Sequence, residues 1–307
     1  MITVVCISPS LDRTIELPAL TVGGTNRAQR IQTVAGGKGV NVAMAVRQMG
    51  EAVRLIVCRH EKGAQALFEA LEQADVSVQA VDVPGELRVN LKLMDMQSGV
   101  TTEINASAQE IPKDALAALE EAAVCAARQS SWLVLTGSIP KGNDPAVYAR
   151  ILARVKREAP ACKTALDVEG EAFSLGVMEK PDLVKPNRHE LELHAGKPLI
   201  TLEDVQSTAK TLVDAGVGTV LVSMDKDGCM LVEGEETLLA QAICVPVVTT
   251  VGAGDAMLSG YICAGNGDRR AALCRAVASA TARVAWQDGQ WAAYAERVQL
   301  QSVKARG

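Results

Sequence analysis

Between Val40 and Met224 the chain switches repeatedly between two periods. Short, continuous apolar runs (Val53 to Cys58, Trp132 to Thr136, Thr164 to Val168, Asp182 to Lys185, Thr219 to Met224) alternate with stretches of helical spacing. The helical stretches are Val40 to Met49, Ala64 to Ala74, Asp114 to Arg128, Pro145 to Arg157 and Val205 to Ala215. Runs that are apolar on both sides suit strands covered on both faces, and Ile2 to Ser8, stopped by Pro9, is one more. The pattern predicts an α/β fold: a doubly wound, mostly parallel sheet with helices on both faces. Ligands of such sheets bind beyond the carboxyl ends of the strands.

Four segments break the rule. Leu11 to Leu17, Thr25 to Val34, Val89 to Asp95 and Thr101 to Asn105 alternate polar and apolar residues, as strands with one wet face do. They predict a small antiparallel β lid, inserted at about 11–34 and 88–106. No repeat, low-complexity tract or linker interrupts the chain, so residues 1–307 are expected to form a single domain. Ala242 to Val248 reads as extended, and Arg269 to Trp286 and Trp291 to Lys304 as two closing helices.

Composition narrows the function classes. Hydrophobic residues make up 48% and charged ones 22%, which fits a well-filled core. The net charge of −5, from 31 basic and 36 acidic residues, gives no reason to expect a nucleic-acid partner; an anionic substrate must be held by local positive groups. Met1 to Pro9 lacks the features of a secretory signal and no run reaches membrane-spanning length, so the expected location is cytoplasmic, with no membrane partner. Eight scattered cysteines without a Cys-x-x-Cys pair read as buried thiols in a reducing compartment.

The strongest chemical signal is the turn Thr250-Val251-Gly252-Ala253-Gly254-Asp255, which opens the helical stretch Ala256 to Gly265. Glycines let backbone approach a phosphate, and the unpaired amides of a helix start attract anions. A carboxylate beside such an anion hole repels phosphate, yet is well placed to take a proton from an attacking hydroxyl. Asp255 is therefore the candidate general base, kept ionised by the helix dipole, with Gly252, Ala253 and Gly254 forming the hole. Taken alone, the motif also fits a plain turn with Asp255 as a helix cap.

Other motifs sit at equivalent places. Gly36-Gly37-Lys38-Gly39-Val40-Asn41 strips side chains from a loop entering a helix and offers Asn41 as donor and acceptor. A tight capped loop fits the same spacing, and the sequence is not a Walker A loop. Lys185-Pro186-Asn187-Arg188-His189-Glu190 has capping spacing between Asn187 and Glu190, or alternatively places both near a hydrated magnesium ion. The histidines 189 and 194 stand five apart, off one helical face, which excludes a zinc peptidase. Ser223 to Gly228, including Lys226, and Thr136 to Pro140, including Ser138, follow buried strands and line the same edge, or serve only as turns. Arg27 and Arg88 supply positive charge in the lid segments.

In this order these motifs resemble the PfkB (ribokinase-like) carbohydrate kinases from Ile2 to about Ala285. Gly36 to Asn41 is similar to the family's first signature and Thr250 to Met257 to its second. Pro9 to Thr14, Thr102 to Asn105, Thr136 to Pro140, Gly170 to Ala172 and Lys185 to Asn187 resemble its hexose-phosphate branch. Ser8, Glu169 and Ala108-Gln109 depart from that branch. The resemblance implies an ATP- and magnesium-dependent transfer to a sugar phosphate, with fructose 1-phosphate the first choice. Tagatose 6-phosphate and fructose 6-phosphate are the alternatives, and a silent sugar-phosphate sensor the rival from another class. It implies sugar contacts by Asp12, Gly37, Lys38 and Asn41, phosphate contacts by Arg27 and Arg88, and Ser138 in the substrate cleft. ATP would be served by Lys185, Asn187, Ser223, Lys226 and Gly228, and magnesium by Asn187 and Glu190. The lid is implied to close the site and to form a homodimer.

Overall fold

The computed structural model describes residues 1–265 and 267–303. β1 (Ile2–Cys6) is buried along its whole length, as its continuous apolar sequence requires. The chain then leaves for β2 (Ser10–Leu17) and β3 (Arg30–Gly36), and returns through α1 (Lys38–Gln48), β4 (Val53–Lys62), α2 (Gln65–Gln73) and β5 (Ser77–Glu86). It leaves again for β6 (Val89–Asp95) and β7 (Thr101–Ile104). Helix and strand alternate from there: α3 (Lys113–Ala127), β8 (Trp132–Thr136), α4 (Val147–Glu158), β9 (Lys163–Asp167), α5 (Gly170–Met178), β10 (Leu183–Val184). Two helices, α6 (Arg188–Ala195) and α7 (Leu202–Asp214), lead to β11 (Thr219–Ser223) and the hairpin β12 (Cys229–Glu233) and β13 (Glu236–Ala240). The chain ends in α8 (Ala253–Ile262), α9 (Arg269–Val284), α10 (Trp291–Ala295) and β14 (Leu300–Ser302).

The main sheet runs β14-β13-β12-β11-β10-β9-β8-β1-β4-β5. From β11 to β5 every pairing is parallel, and β12, β13 and β14 add an antiparallel edge. Successive side chains feed two apolar layers, the expected result of period-two strands between two helical layers. Val5, Ile56, Leu133 and Leu166 pack with Leu119, Ile151, Phe173 and Leu212 of α3, α4, α5 and α7. Val4, Leu55, Val57 and Val134 pack on the other face with Val46, Leu67, Leu258 and Leu273 of α1, α2, α8 and α9.

The lid is a four-stranded sheet in the order β3-β2-β6-β7. Its outer pairings are antiparallel hairpin partners, as expected, whereas β2 and β6 run parallel. Those two strands come from separate excursions of the chain, so no tight turn forces them to oppose.

Several elements differ from the sequence reading. β5, α5 and the β12–β13 hairpin lie in stretches assigned to no element. Ala242 to Val248 was expected to be extended, but no strand is formed there. β3 starts only at Arg30, because Asn26 closes the preceding loop with bonds to both the amide and the carbonyl of Thr21 (2.8 and 2.9 Å). The expected helix from Trp291 stops at Ala295, and Leu300–Ser302 instead pairs with β13, whose edge would otherwise be open. Lys304, the expected end of that helix, lies outside the described residues. Among the described residues no helix is long and apolar enough to cross a membrane.

Candidate active site

Gly252 sits in the left-handed region (φ 79°) and hands the chain to α8. Asp255, one turn in, does not cap its own helix. Its Oδ2 instead accepts a 2.8 Å hydrogen bond from Asn41 Nδ2 on α1, and the residue is only 6% exposed. Ser259 ties the base of the turn down, donating to the carbonyls of Asp255 (2.8 Å) and Val42 (3.3 Å). Of the turn's amides, Ala253 is engaged by Thr250 O at 3.3 Å. The amides of Gly252, Gly254 and Asp255 meet no protein acceptor among the described residues. Left-handed entry, unpaired amides and a carboxylate beside them are the parts of an anion hole with a base at its rim.

Burial pushes Asp255 up to about 6, and the buried Asp167 carboxylate pushes the same way; Asn41, Lys185 and Lys38 oppose them. The helix dipole expected to hold it low is outweighed by desolvation. A base poised near working pH is effective.

Asp167, at the carboxyl end of β9, anchors the charge pattern. Lys185 Nζ stands 3.3 Å and Lys38 Nζ 3.6 Å from its Oδ1, and neither carboxylate oxygen has a hydrogen bond. Burial would raise its pKa, but the two ammonium groups prevail and hold it below the usual range. Asp167 in turn raises Lys38, whose Nζ also lies 3.5 Å from Glu190 Oε1. The hydroxyls of Ser8 and Thr136, near the ends of β1 and β8, are likewise buried without partners. Unsatisfied polar atoms gathered at the carboxyl edge of a parallel sheet mark where a ligand completes the bonding.

The sequence of residues 1–292 matches the model of the pfkB family of carbohydrate kinases. The chain belongs to that family. It is similar to the 1-phosphofructokinase of Rhodobacter capsulatus, 36% identical over 265 residues that cover 85% of this chain and 82% of that one. The Bacillus subtilis 1-phosphofructokinase is 31% identical over 263 residues, covering 85% and 84%. Among solved structures, Escherichia coli phosphofructokinase-2 in complex with substrates and products superposes with a TM-score of 0.88 at 26% identity, over 96% of this chain and 98% of that one.

Seen as a pfkB kinase, the chain brings together Lys38, Asn41, Lys185, Glu190, Gly252, Gly254 and Asp255. A Cβ on Gly254 would lie 3.1 Å from Lys185 Nζ. Gly37 (φ 100°) lets α1 start against Ser8 and Pro9. Half-buried Ser138 follows Gly137, whose amide bonds the Asp167 carbonyl at 3.2 Å. In the lid, Asp12 accepts from Asn90 (2.9 Å), Ser10 (3.1 Å) and Lys92 (3.1 Å), a network on its cleft side.

The remaining expected positions are placed as follows. Arg27 is exposed on the loop before β3. Arg88 directs its guanidinium at the carbonyls of Ser8 (3.0 Å), Pro9 (3.2 Å) and Ala106 (3.3 Å), bracing the lid against the main sheet. Asn187 and Glu190 complete a reciprocal capping box, Glu190 N to Asn187 Oδ1 at 2.8 Å and Asn187 N to Glu190 Oε2 at 2.9 Å. Ser223 bridges Asn187 at the end of β11, and Lys226 is exposed on the following turn. Gly228 (φ 93°) has a packing reason of its own: a Cβ there would meet Ala240 O at 2.0 Å. Asp167 was absent from the sequence reading; its one signal is a carboxylate ending a buried apolar strand.

Proposed function

We propose that this kinase transfers the γ-phosphoryl group of ATP to the free primary hydroxyl of fructose 1-phosphate, giving fructose 1,6-bisphosphate and ADP. The observation that carries the reading is Asp255, buried, bonded to Asn41 and bordered by unpaired amides. The relatives named 1-phosphofructokinase support the choice of sugar phosphate.

The sugar lies between the lid network of Asp12, Asn90 and Lys92 and the Asn41–Asp255 pair. Asn41 orients the carboxylate, which takes the hydroxyl proton as the oxygen attacks phosphorus. The amides of Gly252, Gly254 and Asp255 receive charge on the transferred group, with Lys185 and Lys38 close by. Positioning supplies most of the acceleration in such loose transfers. Closing the lid keeps water from taking the phosphoryl group.

A magnesium ion fits the acidic end of the site. Asp167 pairs with Lys185 and Lys38 through Oδ1 while its Oδ2 has no hydrogen bond, and Glu190 Oε1 faces Lys38 rather than the capping box. Asn187, whose Oδ1 is engaged in the cap, is the weaker donor of the expected pair. A hydrated magnesium ion needs only one or two carboxylates beside the nucleotide's phosphates. Bound there, it would neutralise phosphate charge.

Register places Ile15, Ile31, Leu91, Leu93 and Ile104 on the lid face opposite Asp12, Asn90 and Lys92. Ile31 is 60% and Ile104 51% exposed, so this face supports dimerisation through the lid.

The test is ADP release over a panel of fructose 1-phosphate, fructose 6-phosphate, tagatose 6-phosphate, ribose and adenosine. Fructose 1-phosphate is expected to give the highest kcat/KM. A preference for fructose 6-phosphate would move the assignment toward the phosphofructokinase-2 neighbours, and ligand binding without ADP would mark a sensor.

A further inference from the structure

The last turn of α9 closes with the bonds of a helix-reversal motif, Gln287 N to Ala282 O (2.7 Å) and Trp286 N to Arg283 O (3.0 Å). The residue that reverses the chain in this motif is left-handed and usually glycine. Here it is Trp286, with φ 58°, a conformation that a β-carbon disfavours. The indole has a partner: the Arg283 guanidinium carbon lies 4.8 Å from the ring centre. Asp288 Oδ2 holds the other side, accepting from Arg283 Nη1 at 3.2 Å.

Fixed in this way, Arg283 donates Nε to the carbonyl of Val251 at 3.0 Å, the peptide directly before Gly252. Next to it, Val284 O receives the amides of Val248 (2.9 Å) and Thr249 (3.2 Å). The chain leading into the turn has few other ties: Ile243 and Val245 pack on Ala278, Ala282 and Tyr294 and the Val251 amide bonds Thr249 Oγ1 at 3.2 Å, but no strand forms between Ala240 and α8, and Val247 and Val248 are 67% and 61% exposed. Gly252 leaves the space that the guanidinium needs, since a Cβ there would lie 3.2 Å from Arg283 Nε.

We propose that Arg283 is a positioning residue for phosphoryl transfer: clamped by Trp286 and Asp288, it fixes the Val251 carbonyl and so aims the amides of Gly252 to Asp255. The inference rests on the kinase reading above. Preorganised donors act only if they do not have to reorient during the reaction, and a free loop entering the turn would let them drift. The planar, directional guanidinium suits both stacking and a single aimed N–H, which an ammonium does not.

The test compares wild type with Arg283→Ala, Arg283→Lys and Trp286→Gly by steady-state kinetics with fructose 1-phosphate and ATP, and by thermal melting. Misplacement of this size predicts that Arg283→Ala lowers kcat by about 10- to 100-fold with the sugar KM changed less than about twofold. Arg283→Lys stays impaired although it keeps the charge, and guanidinium ion at millimolar concentration restores part of the Arg283→Ala rate. Trp286→Gly relieves the left-handed strain, so its melting temperature is unchanged or higher while kcat falls. Arg283→Ala with a wild-type kcat overturns the inference, as does a Trp286→Gly enzyme that turns over normally; the latter decides the matter if Arg283→Ala fails to fold. If wild type releases no ADP with any sugar phosphate, the kinase reading falls and takes this inference with it, whereas active wild type with equally active variants sinks the inference alone.

Discussion

Asp255 combines two costs that only a reaction justifies: a carboxylate is buried, and another buried carboxylate, Asp167, lies near enough to raise its pKa. Because folding moves that pKa from an ordinary value near 3.8 to about 6, the folded protein holds the proton more tightly than the unfolded chain. The contribution is therefore harmless below pH 4 and becomes a full penalty as pH rises through 6. Its size is at most about 3 kcal/mol. Asp255→Asn is expected to gain stability at pH 8 and to lose that gain by pH 4, as urea melts at the two pH values will show. In wild type, kcat/KM is expected to fall on the acid side with a midpoint near pH 6, where the base becomes protonated; a flat profile from pH 5 to 8 contradicts that assignment. Asp255 and Asn41 were legible in the sequence because glycines around them announce a backbone job. Asp167 was not, since nothing but its place at the end of β9 separates it from any other strand-end carboxylate. Arg88 was named for its charge, which a sequence shows, whereas the carbonyls of Ser8, Pro9 and Ala106 that its guanidinium bonds are visible only in the fold.

At the scale of elements, the start of α8 is the part that the proposed chemistry depends on. Gly252 needs φ 79° and faces Arg283 at close range, so Gly252→Ala should cost about 1–2 kcal/mol of stability and lower kcat together. Thermal melting and turnover of that variant check both, and an unperturbed enzyme would mean that the turn tolerates a side chain. The elements with strong periodicity, α1, α3, α4, α7 and β8, were readable from apolar spacing. β5 was not, because an edge strand with residues such as Gln79 and Asp82 lacks the continuous apolar run of a central strand. The antiparallel edge was hidden for another reason: β12 and β13 meet around Gly234 (φ 55°), where sequence offers only a short polar turn. Tertiary demand also overrode local preference at Leu300–Ser302, where the open edge of β13 turned an expected helix into a strand.

For the molecule as a whole, the lid has two chemically different faces, to which the proposal gives two tasks. One carries Asp12, Asn90 and Lys92 toward the cleft, while the other exposes Ile31 and Ile104. Replacing both isoleucines by aspartate is expected to turn a dimer into a monomer in sedimentation equilibrium; wild type that sediments as a monomer would rule the lid interface out. The alternation of helices and strands made the sheet readable, and the one-sided strands made the lid readable. What remained hidden was how the two meet, because Arg88 and the Ser8–Ser10 junction bond through backbone that carries no sequence signature. The central claim concerns one proton, and the most direct measurement is the turnover of Asp255→Asn with fructose 1-phosphate and ATP, alongside the affinity of each for the variant. The account predicts that both substrates bind about as they do to wild type while kcat drops by roughly three orders of magnitude or more. A kcat within tenfold of wild type would show that the proton goes elsewhere.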